Sequence, residues 1–173
     1  MTLISSVSGI RGTLGGKTGD NLTPIDVVRF ASAYGSWILQ KVDKAAVVVG
    51  RDARPSGPMI QNIVQQTLVS LGIDVIDVGL STTPTVELEV VRHKAQGGII
   101  ITASHNPKEW NALKLLNKKG EFLNADEGEQ INKISQDLSP IEFANVDSLG
   151  AIFKESDAIQ HHIEAILNLP LVD

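Results

Sequence analysis

Three short runs rich in β-branched residues, Ala45 to Val49, Ile73 to Val78 and Ile99 to Ile101, alternate along the chain with helix openings at Ser56-Gly57-Pro58 and Thr83-Pro84. Runs this short are not helices, and being apolar on both faces they match the inner strands of a parallel sheet. Strand alternating with helix calls for a sheet covered on both sides. Further helices flank this block. Thr23-Pro24-Ile25-Asp26 supplies a cap, a first-turn proline and an acid, ahead of Val27, Phe30, Ala31, Tyr34 and Ile38 at helical spacing. Gly72 is placed to end the second helix as a left-handed cap. Asn124 and Glu127 form a capping box before Ile131, Ile134 and Leu138, and Ser156 to Leu169 sets Ile159, Ile163, Ile166 and Leu167 on one face before Pro170. Residues 139–154 sustain no period and yield no element.

Ala112 to Leu116 reads as a fourth strand, closed by the turn Lys118-Lys119-Gly120. Only about eight loop residues precede it, fewer than a parallel crossover needs, so it is expected to run antiparallel. The expected fold is α/β: a three-layer α/β/α sandwich around a mixed, mainly parallel four-stranded sheet whose last strand is antiparallel. The 173 residues suffice for one such domain with its own core.

Charge and composition narrow the partners. Fifteen Lys and Arg against 20 Asp and Glu, with no long basic run, argue against nucleic acid. The absence of cysteine removes disulfides, thiolate chemistry and cysteine-based zinc sites. No apolar stretch is long enough for a membrane span, and Met1 to Thr13 lacks the pattern of a signal peptide. A cytoplasmic enzyme or binding domain is expected, and Asn21-Leu22-Thr23 is then an incidental glycosylation match.

In sheets of this type ligands bind beyond the carboxyl ends of the parallel strands. The first strand runs out into Gly50-Arg51-Asp52-Ala53-Arg54-Pro55-Ser56, the third into Thr102-Ala103-Ser104-His105-Asn106-Pro107. A serine acts as a phosphoryl carrier only where cations offset the phosphate charge, and the chain supplies Arg11, Arg51, Arg54, Lys108 and Lys114. Ser-Asn-Pro sequences also make ordinary turns, and no Gly-x-Ser-x-Gly elbow surrounds Ser104. Gly15-Gly16-Lys17-Thr18 imitates the end of a phosphate-binding loop, but Arg11 stands where that pattern needs glycine. Arg29, Lys41, Lys44, Lys133, Lys154 and Glu155 are assigned to solvated faces, the acids Asp126, Glu127 and Glu129 to a helix N-terminus, and His161-His162 to the surface. Trp37 is expected in the core, and Trp110, in the loop after Ser104, in packing against that loop or against a neighbouring domain.

Residues 102–107 followed by Trp110-Asn111-Ala112-Leu113-Lys114 resemble the phosphoserine loop of the α-D-phosphohexomutase superfamily, the phosphoglucomutases, phosphomannomutases and phosphoglucosamine mutases. Ser8-Gly9-Ile10-Arg11-Gly12-Thr13 and Gly50 to Gly57 are similar to that family's first two motifs. The resemblance implies that residues 1–173 correspond to the first of four domains, and that Ser104 is phosphorylated and exchanges its phosphoryl group with hexose phosphates and bisphosphates. It implies Lys114 as general acid or base, Arg11 on the phosphoserine, and His105 near the transfer point. Arg51, Asp52, Arg54, Asn106 and Asn111 would serve phosphate and substrate binding, and the Ser104 phosphate would be one ligand of Mg²⁺. Ala112 stands where the family often has glycine. No segment after Leu138 resembles the family's Asp-Gly-Asp metal loop, sugar loop or terminal phosphate loop, which lie in its remaining domains. The isolated chain is therefore expected to have little mutase activity, and the sugar stays open. A noncatalytic sugar-phosphate binding module, without covalent phosphate at Ser104, is the rival reading. A nucleotide-binding loop dependent on Lys17 is a more distant one.

Overall fold

The inner strands form where the β-branched runs lie: β3 at Ala46–Arg51, β4 at Asp74–Leu80 and β5 at Gly97–Ile101, all parallel. The structure, a computed structural model, describes residues 1–6 and 9–170. Antiparallel β6, Trp110–Leu116, lies beside β5, as the short connection requires. Among the described residues five α-helices flank the sheet: α1 Pro24–Leu39, α2 Gly57–Ser70, α3 Thr83–Arg92, α4 Ala125–Gln136 and α5 Ala158–Leu167. Both expected capping boxes, Thr23 with Asp26 and Asn124 with Glu127, are made. Gly72 has φ +80, the conformation a left-handed cap needs. No helix among the described residues is long and apolar enough to cross a membrane.

Among the described residues the sheet has seven strands in the order β1-β2-β6-β5-β3-β4-β7, not four. The three additional ones are β1 at Ile4–Ser6, β2 at Gly9–Thr13 and β7 at Ile152–Lys154. None carries its own strand signal, because each is short and owes its extended state to a neighbour's ladder. β2 pairs antiparallel with β6 and β1 with β2, whereas β7 adds a parallel edge to β4. The last strand in the chain is thus parallel, and part of residues 139–154 is ordered by tertiary pairing.

Side chains alternate across the pleat. Val47, Val49, Ile99 and Ile101 join Tyr34, Ile60 and Leu68 in the core under α1, α2 and α4, whereas Val48 and Ile100 join Val86 and Val90 under α3. Trp37 is buried and donates its indole N–H to Gln130 Oε1 at 2.9 Å. Tyr34 anchors α1 to the sheet by donating its hydroxyl to the carbonyls of Leu116, at 2.7 Å, and Gly98, at 3.2 Å. Gly97 lets that hydroxyl approach, since a Cβ there would sit 2.0 Å from it.

The α5 histidines depart from the surface assignment. His161 Nδ1 lies 2.9 Å from Glu89 Oε1 and His162 Nδ1 2.9 Å from Thr85 Oγ1, both on α3. Glu155, assigned to a solvated face, approaches His93. The partners come from distant segments, which spacing along one helix cannot reveal.

Candidate functional site

β3 and β5 end side by side, Arg51 paired with Ile101, so the loops that follow meet. The contact runs mainly through one guanidinium. Arg54 Nε donates to Asp52 Oδ2 at 3.1 Å, Nη1 to the carbonyls of Pro107 and Trp110 at 2.7 and 3.1 Å, and Nη2 to those of Ser104 and Asn106 at 2.8 and 2.7 Å. A fixed fork with five donors can hold a loop in this way, and an ammonium cannot. Asp52 continues the link. Its Oδ2 accepts from Thr102 Oγ1 at 2.6 Å, and Thr102 Oγ1 in turn accepts the Ser104 N–H at 3.0 Å.

Held from both sides, Ser104 takes φ +54, a left-handed conformation uncommon outside glycine, and it is exposed. Such conformations persist where surrounding structure over-determines them. Ser104 lines an open cleft of about 210 Å³ with Arg11, Thr102, His105, Asn106, Ala112, Lys114 and Phe122, floored in part by Gly9. Arg11 reaches it from β2 and Lys114 from β6, since Arg11 pairs with Ala112 and the two strands present these side chains on one face. Gly9, at φ +119, allows that pairing, because a Cβ would fall 2.2 Å from the Leu113 carbonyl oxygen. Ser8 of the same motif lies outside the described residues.

The cleft lining holds Arg11 and Lys114 and no carboxylate. Its electrostatics suit an anion at Ser104. Lys114 Nζ stands 5.6 Å from the centre of the Phe122 ring. Nearby Glu87 is partly buried, and desolvation raises its carboxyl above the usual range while the Lys114 charge opposes the rise.

The structure thus brings together Ser104, His105, Asn106, Arg11 and Lys114 of the sequence-derived candidates. Asp52 and Arg54 stand behind the loop as its braces. Arg51 turns elsewhere, with Nε donating to Gln61 Oε1 at 2.8 Å and Nη1 to the Asp52 carbonyl at 3.1 Å. Asn111 is fully buried and donates to Ser56 Oγ at 2.8 Å. Neither lines the cleft. Phe122 and Thr102 were not singled out for a role by the sequence. An aromatic two residues after the Lys118-Lys119-Gly120 turn was the available signal for Phe122. A larger hollow, about 570 Å³, is lined by Asp43, Asp74 and Asp147 against Lys44, shares no residue with the Ser104 cleft, and carries the wrong charge for an anion.

Residues 3–142 match the family model described as phosphoglucomutase/phosphomannomutase, alpha/beta/alpha domain I. A phosphoglucomutase/phosphomannomutase of Thermococcus kodakarensis is 36% identical over 162 residues, 91% of this chain and 35% of that protein. A phosphoglucosamine mutase of a Sulfurovum species is 34% identical over 170 residues, 97% of this chain and 37% of that protein. A crystal structure of a phosphoglucomutase/phosphomannomutase family protein from Burkholderia thailandensis superposes with a TM-score of 0.75 at 24% identity, over 98% of this chain and 38% of that one, and shares the fold. The chain spans about a third of the length of the curated relatives it matches. It belongs to the phosphoglucomutase/phosphomannomutase family, of which it carries the α/β/α domain I.

Proposed function

We propose that this chain is the phosphoryl-carrying part of a hexose-phosphate mutase, with Ser104 as the carrier. The observation that carries the reading is an exposed serine in a left-handed turn, set in a cleft with Arg11, His105 and Lys114 and no acid. Transfer proceeds as the Oγ–P bond of phosphoserine breaks and a new O–P bond forms to a hydroxyl of a hexose monophosphate. The proton released by that hydroxyl ends on Ser104 Oγ, and the return step recharges Ser104 from the other phosphate of the resulting bisphosphate. Arg11 neutralises the phosphoserine charge, Lys114 relays the proton, and His105 and Asn106 contact the sugar phosphate. Positioning and nearby cations supply most of the catalysis in transfers of this class.

Mg²⁺ would offset charge on the transferring group when bound. The cleft residues fit the anion better than the cation, since the lining carries Arg11 and Lys114 and no carboxylate, which leaves the Ser104 phosphate as the charged ligand a metal would find there. Its remaining ligands, and the contacts that choose the sugar, belong to other parts of a longer protein. Alone, this chain is expected to accept a phosphoryl group far faster than it completes the isomerisation, and its working compartment is the cytoplasm.

Intact-mass measurement after incubation with a hexose 1,6-bisphosphate and Mg²⁺ tests the reading. One phosphatase-sensitive phosphoryl group per chain is expected, absent in Ser104→Ala. A mass unchanged under all conditions, with sugar phosphate still bound, would favour a noncatalytic binding module. Normal turnover by the isolated chain would refute its dependence on further domains.

A further inference from the structure

Glu89, in the last turn of α3, is fully buried. Groups from three places close on its carboxylate: His93 one turn on, Glu155 just after β7, and His161 on α5. His161 Nδ1 lies 2.9 Å from Glu89 Oε1, and His93 Nε2 lies 3.1 Å from Glu89 Oε2 and 3.3 Å from Glu155 Oε2. One ligand atom each from Glu89, Glu155 and His161 fall within 4.8 Å of one another. None of these residues lines the Ser104 cleft.

Two features single this cluster out from an ordinary ionic contact. Glu89 Oε2 is buried and receives no hydrogen bond, although His93 Nε2 is in contact with it. A buried carboxylate oxygen left without a partner is costly and calls for one. The second feature is spacing and charge. Zinc bonds of about 2.0–2.1 Å place tetrahedral donors roughly 3.3–3.4 Å apart, and the donor atoms of Glu89, Glu155 and His161, within 4.8 Å of one another, can close on one ion by small side-chain movements. With both rings neutral, the two carboxylates carry two negative charges, which a single divalent cation cancels. Imidazole with carboxylate suits zinc and its first-row neighbours, whereas Mg²⁺ prefers oxygen donors and retained water. The side chains of His93, Glu155 and His161 are 29%, 20% and 16% exposed, which leaves an ion a way in.

We propose that Glu89, Glu155 and His161 form a structural site for Zn²⁺ that ties α5 and the end of β7 to α3, with His93 standing beside the two carboxylates. It is independent of the phosphoserine chemistry. Calorimetric titration of the chelator-treated chain with ZnCl₂ should give one ion per chain and raise the melting temperature, with no such response to MgCl₂. His161→Ala and Glu155→Gln, which alter partly exposed groups, should each weaken binding at least about tenfold. Co²⁺ should give the visible absorption of a low-coordinate nitrogen–oxygen site, and both variants should lose it. Failure to bind zinc stoichiometrically, or binding unchanged in both variants, would overturn the proposal and leave the cluster as a hydrogen-bonded clasp.

Discussion

A guanidinium has five N–H bonds to give, and Arg54 makes five contacts inside the chain, one to Asp52 and four to carbonyls between Ser104 and Trp110. Replacing it by lysine keeps the charge and loses the fork. Arg54→Lys should lower stability by about 2 kcal/mol, since charge-assisted bonds to a partly buried loop are lost. It should also slow phosphoryl uptake at Ser104 by about tenfold or more, because a small displacement of the acceptor is costly in this chemistry. Denaturant unfolding and time-resolved intact mass read the two effects separately. Arg51→Lys, which alters a residue outside the cleft, should leave uptake near that of the unaltered chain. Both arginines were visible in the sequence as cations at a strand end. Their division of labour was not, because the acceptors of Arg54 are peptide carbonyls whose positions exist only once the loop is folded.

At the scale of elements, Tyr34 shows how a helix is fixed to the sheet. Its hydroxyl is sealed between the carbonyls of Gly98 and Leu116, and burial, the largest cause, holds the phenol well above its ordinary value of 10.0. The folded state therefore binds the neutral form. Stability from this group is complete below about pH 10 and falls as pH rises beyond it, because the unfolded chain ionises there and the folded chain does not. Tyr34→Phe should cost about 1–3 kcal/mol at neutral pH by leaving carbonyls without their donor, and should blunt the alkaline loss. Unfolding followed from pH 7 to 11 would check both limbs; an alkaline loss identical in the variant would remove the phenol as its source. The helix carrying Tyr34 was legible from its cap and period, and so were β3, β4, β5 and β6. β1, β2 and β7 were not, since a three- to five-residue segment at a sheet margin is extended by its partner's hydrogen bonds rather than by its own propensity.

Across the whole molecule, apolar surface is unevenly spread. Ile159, Ile163 and Ile166 of α5 are exposed beside Leu80 around a groove of about 440 Å³, and Phe153 and Phe143 are exposed as well. A contiguous apolar face of this kind favours association. Ile163→Glu should lower self-association at high concentration, read by sedimentation; a chain that stays monomeric throughout, with or without the substitution, would show the face to be inert. The sequence by itself determined the layered α/β plan, the loop bearing Ser104 and the family, because periodicity, caps and loop motifs are local and each is written within a few consecutive residues. Only the tertiary structure decided which cations share the cleft with Ser104, that Arg54 is a brace, that three marginal strands complete the sheet, and that Glu89 gathers His93, Glu155 and His161. These depend on contacts between segments tens of residues apart, where position along the chain carries no information about direction or distance until the sheet has set the register.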